Sequence, residues 1–495
     1  MGKFKALWHN FDKKIDKIPK LVIVLGFLIL VLRFPSLFEP CWYGDEGIYL
    51  TLGQGVRQGQ ILYRDIHDNK PPLLYLLAAV AGNVFWFRFI LLLWMLVTTF
   101  LFFKLVEEFF PKKKWLQSLL TITFVILTSI PTFEGNIANA EIFFVGLIIA
   151  GFWAFLKKKH FWAGFLLSLS FLFKSPPLFD FGALLIFSLL TAFNQKDLRG
   201  SFKKVILPMV GGFLLPLFAT IIYYSSKEAL PYYLKSAFLL NLPYLSSWGS
   251  SQKSILANGL FQRGLILLFF LALVFWRRKK LLYRPITLLA SLWLSLALFG
   301  ALLSGRPYPH YLIQVFAPFL VLLGALTTNF PSLVKYRRLF ILALPIFLIP
   351  LAFWVYNFYT YPTLDYYQSF AQFVLGQKNQ DKYYCWFDSR VGRNYQLARF
   401  IRDTVPENER IFIWGNEPCV YALSRRLPVG RYTVAYHIID FDGYEETMEV
   451  MKSNRPLLVV IPPFDHTFSD LNSFLEENYL QVEVIDKMQI WYRRP

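Results

Sequence analysis

Long apolar runs alternate with short basic stretches over most of the chain. The segments Leu339 to Tyr359 and Tyr311 to Asn329, for example, contain no charged side chain. Each has about the 20 residues that a helix needs to cross the hydrocarbon of a bilayer. The pattern therefore predicts a polytopic α-helical membrane protein. Its eleven predicted spans lie near residues 21–38, 84–106, 115–131, 141–156, 161–173, 178–193, 205–224, 258–276, 286–303, 311–329 and 339–360.

The basic stretches between these spans set the predicted orientation. They recur between apolar runs at residues 112–114, 157–159, 196–204, 277–284 and 335–338. Because Lys-rich and Arg-rich loops stay in the cytoplasm, we expect a cytoplasmic N-terminus and, after an odd number of crossings, an extracytoplasmic tail. The chain is therefore expected in the cell (plasma or inner) membrane, with a transmembrane domain at 1–361 and an outer domain at 362–495.

Composition and charge agree with this division. The 495-residue chain is 56% apolar and 17% charged, with a formal net charge of +19. Residues 1–361 hold 36 Lys+Arg and 14 Asp+Glu, whereas residues 362–495 hold 15 and 18. The basic excess thus belongs to the membrane part, where the cytoplasmic loops account for it, and no nucleic-acid partner is predicted.

The polar tail predicts a small α/β domain. Strands are predicted at 410–414, 457–461, 481–485 and 488–492, and helices at 395–404 and 471–477. We expect this domain to pack over the outer face of the membrane part.

The first outer loop, residues 39–83, carries most of the candidate chemistry. Apolar residues at every fourth position from Ile48 to Val56 predict an amphipathic helix lying on the membrane surface. A second and more apolar surface helix is predicted at 73–81, directly after two prolines that suit a helix start.

Two adjacent acids, Asp45 and Glu46, lie at the predicted start of the first of these helices. The helix dipole favours carboxylates there, so the pair is compatible with simple capping. The alternative that we favour is a catalytic carboxylate. Because neighbouring residues project about 100° apart on a helix, only one of the two can face a reacting atom, and the other would support it.

Asp65, His67 and Asp68 allow two interpretations. They could form a metal cluster, or the aspartates could accept hydrogen bonds from the nearby backbone of a turn. The loose spacing favours the second interpretation. The sequence contains no Cys-x-x-Cys pair that would add a metal site.

Basic residues also occur at the outer ends of predicted spans, against the positive-inside trend. Ionisable groups in such places are functional candidates, and a cation directly before two prolines is well placed for a lipid phosphate. The outer basic residues of interest are Lys70, Lys174, Arg306 and His310. Glu141 opens the fourth span, where it could equally favour the helix start.

Cysteines are few, and all three are expected outside. Cys41, Cys385 and Cys419 allow one disulfide with one thiol left over. Three unpaired thiols are equally compatible with the sequence.

Together these motifs give the chain a resemblance to the membrane-embedded C-type (GT-C) glycosyltransferases. The similar branch contains the dolichyl-phosphate-mannose protein mannosyltransferases and the bacterial aminoarabinose and Rgt-type transferases. The matching motifs, in chain order, are Asp45-Glu46, Tyr63…Asp68-x-Lys70-Pro71-Pro72, Asn139-Ala-Glu141, Gly164…Phe173-Lys174, Arg306…His310-Tyr311 and Arg410-Ile-Phe-Ile-Trp-Gly…Tyr421-Ala-Leu-Ser.

The resemblance implies a GT-C fold, a polyprenyl-phosphate sugar donor and inversion at the anomeric carbon, with an acid of the first outer loop as base. We assign that base to Asp45, and Glu46 is expected to orient it. Glu141 is expected to bind the acceptor or to contribute to a metal site, and a divalent ion (Mg²⁺ or Mn²⁺) is left open as a cofactor. The donor phosphate is expected to bind the cations Lys70, Lys174, Arg306 and His310.

The resemblance leaves the substrates open. The transferred sugar could be a hexose or a pentose, and the acceptor a glycan, a lipid or a protein. Protein mannosyltransferases carry a β-trefoil in a central outer loop, and the loop at 225–257 is too short for one. A ligase or polymerase of lipid-linked glycans is an alternative, because it needs the same acid and cations. A lipid-linked sugar flippase is another, although its usual internal repeats are not visible.

Overall fold

The computed structural model of the chain describes residues 20–241, 259–329 and 335–495. The lysine-rich residues 1–19 and residues 242–257 of the predicted outer loop lie outside these ranges. Helices dominate the described membrane part. In chain order they are α1 (Lys20–Arg33), α2 (Gly44–Arg57), α3 (Leu73–Ala81), α4 (Val84–Phe109), α5 (Lys114–Ser129), α6 (Ala140–Leu156), α7 (His160–Phe171), α8 (Pro177–Gln195), α9 (Leu198–Ser226), α10 (Leu230–Leu234), α11 (Gly259–Leu282), α12 (Pro285–Ala301), α13 (Ile313–Asn329) and α14 (Lys335–Tyr356).

Apolar helices occupy the predicted span positions. Within the described ranges, six helices are long and apolar enough to cross a membrane, namely α4, α8, α9, α11, Pro309–Thr328 (which includes most of α13) and Leu339–Tyr356 within α14. Shorter apolar helices lie at Ile23–Phe38, Lys114–Ser129, Ala140–Leu156, His160–Phe171 and Pro285–Ala301. The polytopic helical architecture is confirmed, and eleven crossings stay a prediction.

α2 forms where the amphipathic surface helix is predicted, but its surroundings differ from a lipid surface. Its residues from Glu46 to Gly55 are buried, because α3 packs on one side and a helix of the C-terminal domain, Pro418–Ser424, packs on the other. Two glycines allow this close approach. A Cβ on Gly47 would lie 2.7 Å from Cys419 N, and one on Gly53 would lie 2.7 Å from the Ala78 carbonyl carbon.

A buried ion-pair network fixes α2 against the membrane helices. Arg88 of α4 donates from Nε to Glu46 Oε1 at 3.0 Å and from Nη2 to Glu46 Oε2 at 2.5 Å. Its Nη1 also donates to Glu39 Oε2 at 3.0 Å. Because all three side chains are excluded from solvent, each charge depends on its partners for compensation. The start of α2 is therefore held in one place.

The C-terminal domain has the predicted α/β character. Its strands are β1 (Ile411–Ile413), β2 (Leu458–Ile461), β3 (Tyr479–Ile485) and β4 (Met488–Arg493), in the sheet order β1-β2-β4-β3. β1 and β2 are parallel, and the other pairs are antiparallel. Its helices are Thr363–Val374, Gln380–Phe387, Arg390–Thr404, Pro418–Ser424, Ala435–Asp440, Tyr444–Ser453 and Ser469–Asn478.

The predicted strands and the two predicted helices of this domain are present with bounds shifted by a few residues. The short helices Pro418–Ser424 and Ala435–Asp440 were not predicted, because each has too few residues for a helical period to show. Both help to build the outer face, since the first contacts α2 and the second lies over the candidate site.

Candidate active site

A cavity of about 760 Å³ lies between the C-terminal domain and the ends of the membrane helices that face it. Its walls come from the first outer loop, the start of α6, the segment between α7 and α8, and the segment between α12 and α13. Six of the seven predicted site residues line it, namely Asp45, Lys70, Glu141, Lys174, Arg306 and His310. Segments far apart in the sequence thus meet at one site.

Asp45 lies in the first turn of α2 and faces the cavity with a side chain that is 37% exposed. One turn later, the Tyr49 hydroxyl donates a 2.8 Å hydrogen bond to Asp45 Oδ2, and Lys70 Nζ lies 3.6 Å from the same oxygen. Burial raises the pKa of this carboxyl, but the Lys70 ammonium and the Tyr49 hydroxyl lower it. The resulting pKa lies below the ordinary aspartate value, so Asp45 is ionised at neutral pH.

Lys70 is shared between two carboxylates. Its Nζ lies 3.6 Å from Asp45 Oδ2 and 3.7 Å from Asp68 Oδ2, and it also lies over the ring of Tyr49 at 5.0 Å. Asp68 in turn accepts a 2.8 Å hydrogen bond from the Tyr75 hydroxyl. Burial raises the pKa of Asp68, whereas Lys70 lowers it, and the net shift is downward.

The neighbouring acids of this loop behave largely as the favoured interpretation predicts. Asp65 accepts from the Ile61 backbone N–H at 2.8 Å, and Asp68 accepts from the Asn69 N–H at 2.7 Å. His67 is buried, with Nδ1 3.2 Å from Ser236 Oγ. Among the described residues there is no group of three or more His, Cys, Asp or Glu placed to hold a metal. The further role of Asp68 in the cavity was not predicted.

A separate charged cluster forms the opposite wall. Lys174 Nζ contacts Glu141 Oε1 at 2.5 Å and lies 4.3 Å from the ring centre of Tyr311. His310 Nε2 lies 3.9 Å from Glu141 Oε2, and His310 Nδ1 contacts Glu134. Glu141 therefore contacts two of the cations that were predicted to bind phosphate. Arg306 also lines the cavity.

Glu46 is the predicted residue that does not line the described cavity. Its carboxylate is turned to Arg88 and to the Ala138 N–H, which donates to Oε1 at 2.9 Å. The structure thus places Glu46 behind Asp45 on the other face of α2, as the 100° spacing requires. Any influence on Asp45 acts through the position of the helix.

The C-terminal domain supplies the outer wall, through Tyr436, His437, Asp440 and Phe441. His437 Nε2 lies 3.6 Å from Asp68 Oδ1, and burial lowers the pKa of this imidazole, which Asp68 only partly offsets. The domain packs over the face of the membrane part that contains the cavity, whereas its extracytoplasmic position stays a prediction. These particular residues could not be predicted, because no motif marks them in the sequence.

A disulfide joins this wall to the first outer loop. It pairs Cys41 with Cys419 and leaves Cys385 as an exposed free thiol. Of the alternatives that the sequence allowed, the structure therefore has one disulfide with one thiol left over. The bond lies between the loop that carries Asp45 and the helix Pro418–Ser424 that packs on α2.

The membrane helices and the small C-terminal domain together have the GT-C fold of solved glycosyltransferase structures. The chain aligns over 95% of its length with 97% of ArnT from Cupriavidus metallidurans bound to undecaprenyl phosphate, at 13% identity and a TM-score of 0.56. The apo state of ArnT aligns over the same shares, at 12% identity and a TM-score of 0.54.

A further similar structure is the archaeal oligosaccharyltransferase AglB from Archaeoglobus fulgidus, in complex with an inhibitory peptide and a dolichol-phosphate. It aligns with 93% of this chain and 70% of its own, at 13% identity and a TM-score of 0.48. No protein-family model matches the sequence, and no curated protein matches it significantly.

Proposed function

We propose that the protein transfers a sugar from a polyprenyl-phosphate donor to an acceptor hydroxyl at the outer face of the membrane, with inversion at the anomeric carbon. The observation that carries the proposal is the cavity itself. An ionised carboxylate, Asp45, and a group of cations line one 760 Å³ space at the outer ends of apolar helices. A base and a phosphate-binding wall are the two parts that such a transfer needs.

Asp45 is the proposed base. The acceptor oxygen attacks the anomeric carbon, its proton moves to Asp45, and the carbon–oxygen bond to the phosphate breaks with its electron pair leaving on polyprenyl phosphate. Lys70 connects these events, because its Nζ lies 3.6 Å from Asp45 Oδ2 and the residue also lines the cavity. A donor phosphate would attract the Lys70 ammonium, which would weaken its pull on Asp45 and make the carboxylate a better base when substrate is present.

The opposite wall would stabilise the leaving phosphate. Lys174, Arg306 and His310 stand there as donors of positive charge and hydrogen bonds. Negative charge grows on the phosphate as the bond breaks, so fixed cations stabilise the transition state more than the ground state. Glu141 holds Lys174 at 2.5 Å, which suits a role in orienting this cation as well as the predicted contact with the acceptor.

The donor class follows from the remaining lining of the cavity. Phe171, Leu178, Phe238 and Leu303 add apolar surface, which fits an isoprenoid chain beside a charged head. The similar ArnT was solved with undecaprenyl phosphate bound, which supports the same lipid class here. Hexose and pentose donors both remain within the proposal, as do glycan, lipid and protein acceptors.

The test is transfer by purified protein from a panel of radiolabelled undecaprenyl-phosphate hexoses and pentoses to membrane extract. Wild type should consume one donor and label an acceptor. Asp45→Asn should transfer at least about a hundredfold more slowly, since a positioned base contributes that much or more. Asp65→Asn is the matched control, because this loop aspartate accepts from Ile61 N–H at 2.8 Å and does not line the described cavity. Equal rates in wild type and Asp45→Asn would remove the base assignment.

Product analysis in the same assay separates the alternatives. A ladder of lengthening glycans would indicate a polymerase or ligase. Movement of lipid-linked sugar between the leaflets of reconstituted vesicles, with no donor consumed, would indicate a flippase.

Whether transfer depends on Mg²⁺ or Mn²⁺ is a separate question, and the contacts of Lys70 lead us to expect that it does not. Asp45 and Asp68 are two acids of the cavity that could share an ion, but Lys70 Nζ lies 3.6 and 3.7 Å from them and already supplies positive charge. A metal between them would have to displace this ammonium. We therefore expect transfer to continue in excess EDTA, and activity that is lost in EDTA and restored by Mg²⁺ or Mn²⁺ would contradict this expectation.

A further inference from the structure

Asp180 is a carboxylate buried within the membrane part that the proposed transfer does not use. It lies in the first turn of α8 and is fully buried. Trp293 of α12 donates from Nε1 to Asp180 Oδ1 at 2.6 Å, and Gln314 of α13 donates from Nε2 to Oδ2 at 2.5 Å. An acid at such a place is costly and by default indicates function. Here both of these hydrogen-bond donors are neutral.

Gln314 connects this acid to the cavity. It lines the cavity and follows His310 by one helical turn, so the two residues lie on the same side of the chain. The amide also packs against α12, since a Cβ on Gly300 would lie 3.5 Å from Gln314 Nε2. The amide is therefore held at the cavity wall in a fixed position.

The hydrogen bond to Asp180 uses one N–H of Gln314 Nε2 and so fixes the orientation of the amide. The carbonyl oxygen at the other end of the amide can only accept, so a ligand group that meets it must be a hydrogen-bond donor. A polyprenyl-phosphate sugar has three parts. The isoprenoid chain has no hydrogen-bonding group, and the anionic phosphate diester has only acceptors. The sugar alone presents donors, as hydroxyl or amino groups.

We propose that the Gln314 carbonyl oxygen accepts a hydrogen bond from one hydroxyl or amino group of the donor sugar, and that Asp180 is the positioning residue that sets the direction of the amide. The inference rests on the proposed function and adds a residue that selects the sugar. A site built around a fixed acceptor rejects a sugar that lacks the matching group, because the buried oxygen is then left without a partner.

The competing explanation is that the cluster of Asp180, Trp293 and Gln314 only holds α8, α12 and α13 together. The test therefore needs a measurement that weaker helix packing alone would not change. The probes are the undecaprenyl-phosphate sugar that wild type consumes and a series of its analogues, each lacking one hydroxyl or amino group. kcat/KM is measured for every analogue with wild type, Gln314→Met and Asp180→Asn.

The matched control is Gln117→Met, which removes another buried spanning-helix glutamine, one that donates to the Phe110 carbonyl at 2.8 Å and does not line the described cavity. An additional readout is the shift in unfolding midpoint caused by undecaprenyl phosphate without a sugar. This shift should be equal in wild type and Gln314→Met, because the phosphate contacts other residues.

Wild type should transfer one analogue about tenfold less well than the complete sugar. Gln314→Met should lose this discrimination at that one position and keep it elsewhere. Asp180→Asn should also lose this discrimination, although residue 314 itself is unchanged. The reason is that an asparagine amide no longer fixes the orientation of the Gln314 amide. Gln117→Met should keep the wild-type profile.

Two other results would overturn the proposal, and they distinguish failure of the sugar contact from failure of the proposed function. If both cluster variants keep the analogue profile of wild type, there is no sugar contact and the cluster only joins helices, while the transferase function stands. If wild type consumes no donor at all, the proposed function fails and this contact fails with it. The two variants alter different helices, so one that does not fold leaves the other to decide the outcome.

Discussion

Lys70 is the residue on which the proposed mechanism depends most. It contacts Asp45 and Asp68, and in the proposal it also meets the donor phosphate. Without Lys70, burial would raise the pKa of Asp45 with less opposition. The same ammonium therefore keeps the base ionised before the donor arrives and helps to bind the donor afterwards.

Substitution of Lys70 by Met should shift the acid limb of the pH–rate profile. Asp45 must be ionised to act, and its lowered pKa places the wild-type limb of kcat/KM below the ordinary aspartate value. In Lys70→Met that limb should move to higher pH, because the ammonium that lowers the pKa of Asp45 is removed, and KM for the donor should rise. Lys227→Met, at an exposed outer lysine, should change neither. A limb at the same pH in Lys70→Met and wild type would show that Lys70 does not control Asp45.

At the scale of single residues, part of the site was predictable and part was not. Asp45 and Lys70 could be recognised because Asp45 opens a predicted surface helix and Lys70 is a cation directly before the two prolines that begin the next one. His437 and Gln314 could not be recognised. His437 lines the cavity only because the C-terminal domain packs there, and its sequence neighbours do not show that contact. Gln314 cannot be told by sequence from any polar residue that a spanning helix tolerates.

At the scale of elements, α2 has its position because of one ion pair. Glu46 and Arg88 are excluded from solvent and joined by two hydrogen bonds of 3.0 and 2.5 Å. The two faces of α2 thus have separate tasks, since one carries Asp45 to the cavity and the other attaches the helix to α4. A change on the attached face should act first on stability.

Glu46→Gln should destabilise the protein by about 3–5 kcal/mol, because it leaves the Arg88 charge buried without full compensation. The measurement is thermal or denaturant unfolding in detergent, followed by tryptophan fluorescence. Glu108→Gln is a suitable control, since Glu108 meets Lys157 at 2.6 Å with both side chains partly exposed, and its loss should cost at most about 1 kcal/mol. Equal stability of Glu46→Gln and wild type would show that the pair does not fix α2.

The positions of the apolar helices followed directly from the sequence, because a bilayer demands long uncharged segments. The burial of α2 did not follow, since its apolar period is the same whether lipid or protein covers it. The decisive partner is the helix Pro418–Ser424, which is short and distant in sequence and meets α2 at Gly47. The apolar period of a helix shows that one face is covered, but it does not show whether lipid or protein covers that face.

At the scale of the whole molecule, the remaining prediction is orientation. The basic loops predict that the C-terminal domain is outside, and Cys385 offers a direct test because it is an exposed free thiol of that domain. A membrane-impermeant maleimide should label wild type on intact cells or spheroplasts, and Cys385→Ser should not be labelled. In the Cys385→Ser background, Lys113→Cys, at an exposed position between α4 and α5, should react only after the membrane is broken. The reverse pattern would invert the topology.

The disulfide between Cys41 and Cys419 also bears on how the protein is made. The two cysteines are 378 positions apart, so Cys41 belongs to the first outer segment to leave the ribosome, and its partner emerges after the last predicted crossing. With the predicted orientation, the C-terminal domain can be bonded to the loop of Asp45 only after Cys419 has been synthesised and has crossed the membrane. The predicted crossings all precede Cys419, so the membrane helices can insert before the cavity is closed by this bond. Closure of the cavity is therefore a late step in biogenesis that needs an oxidising compartment.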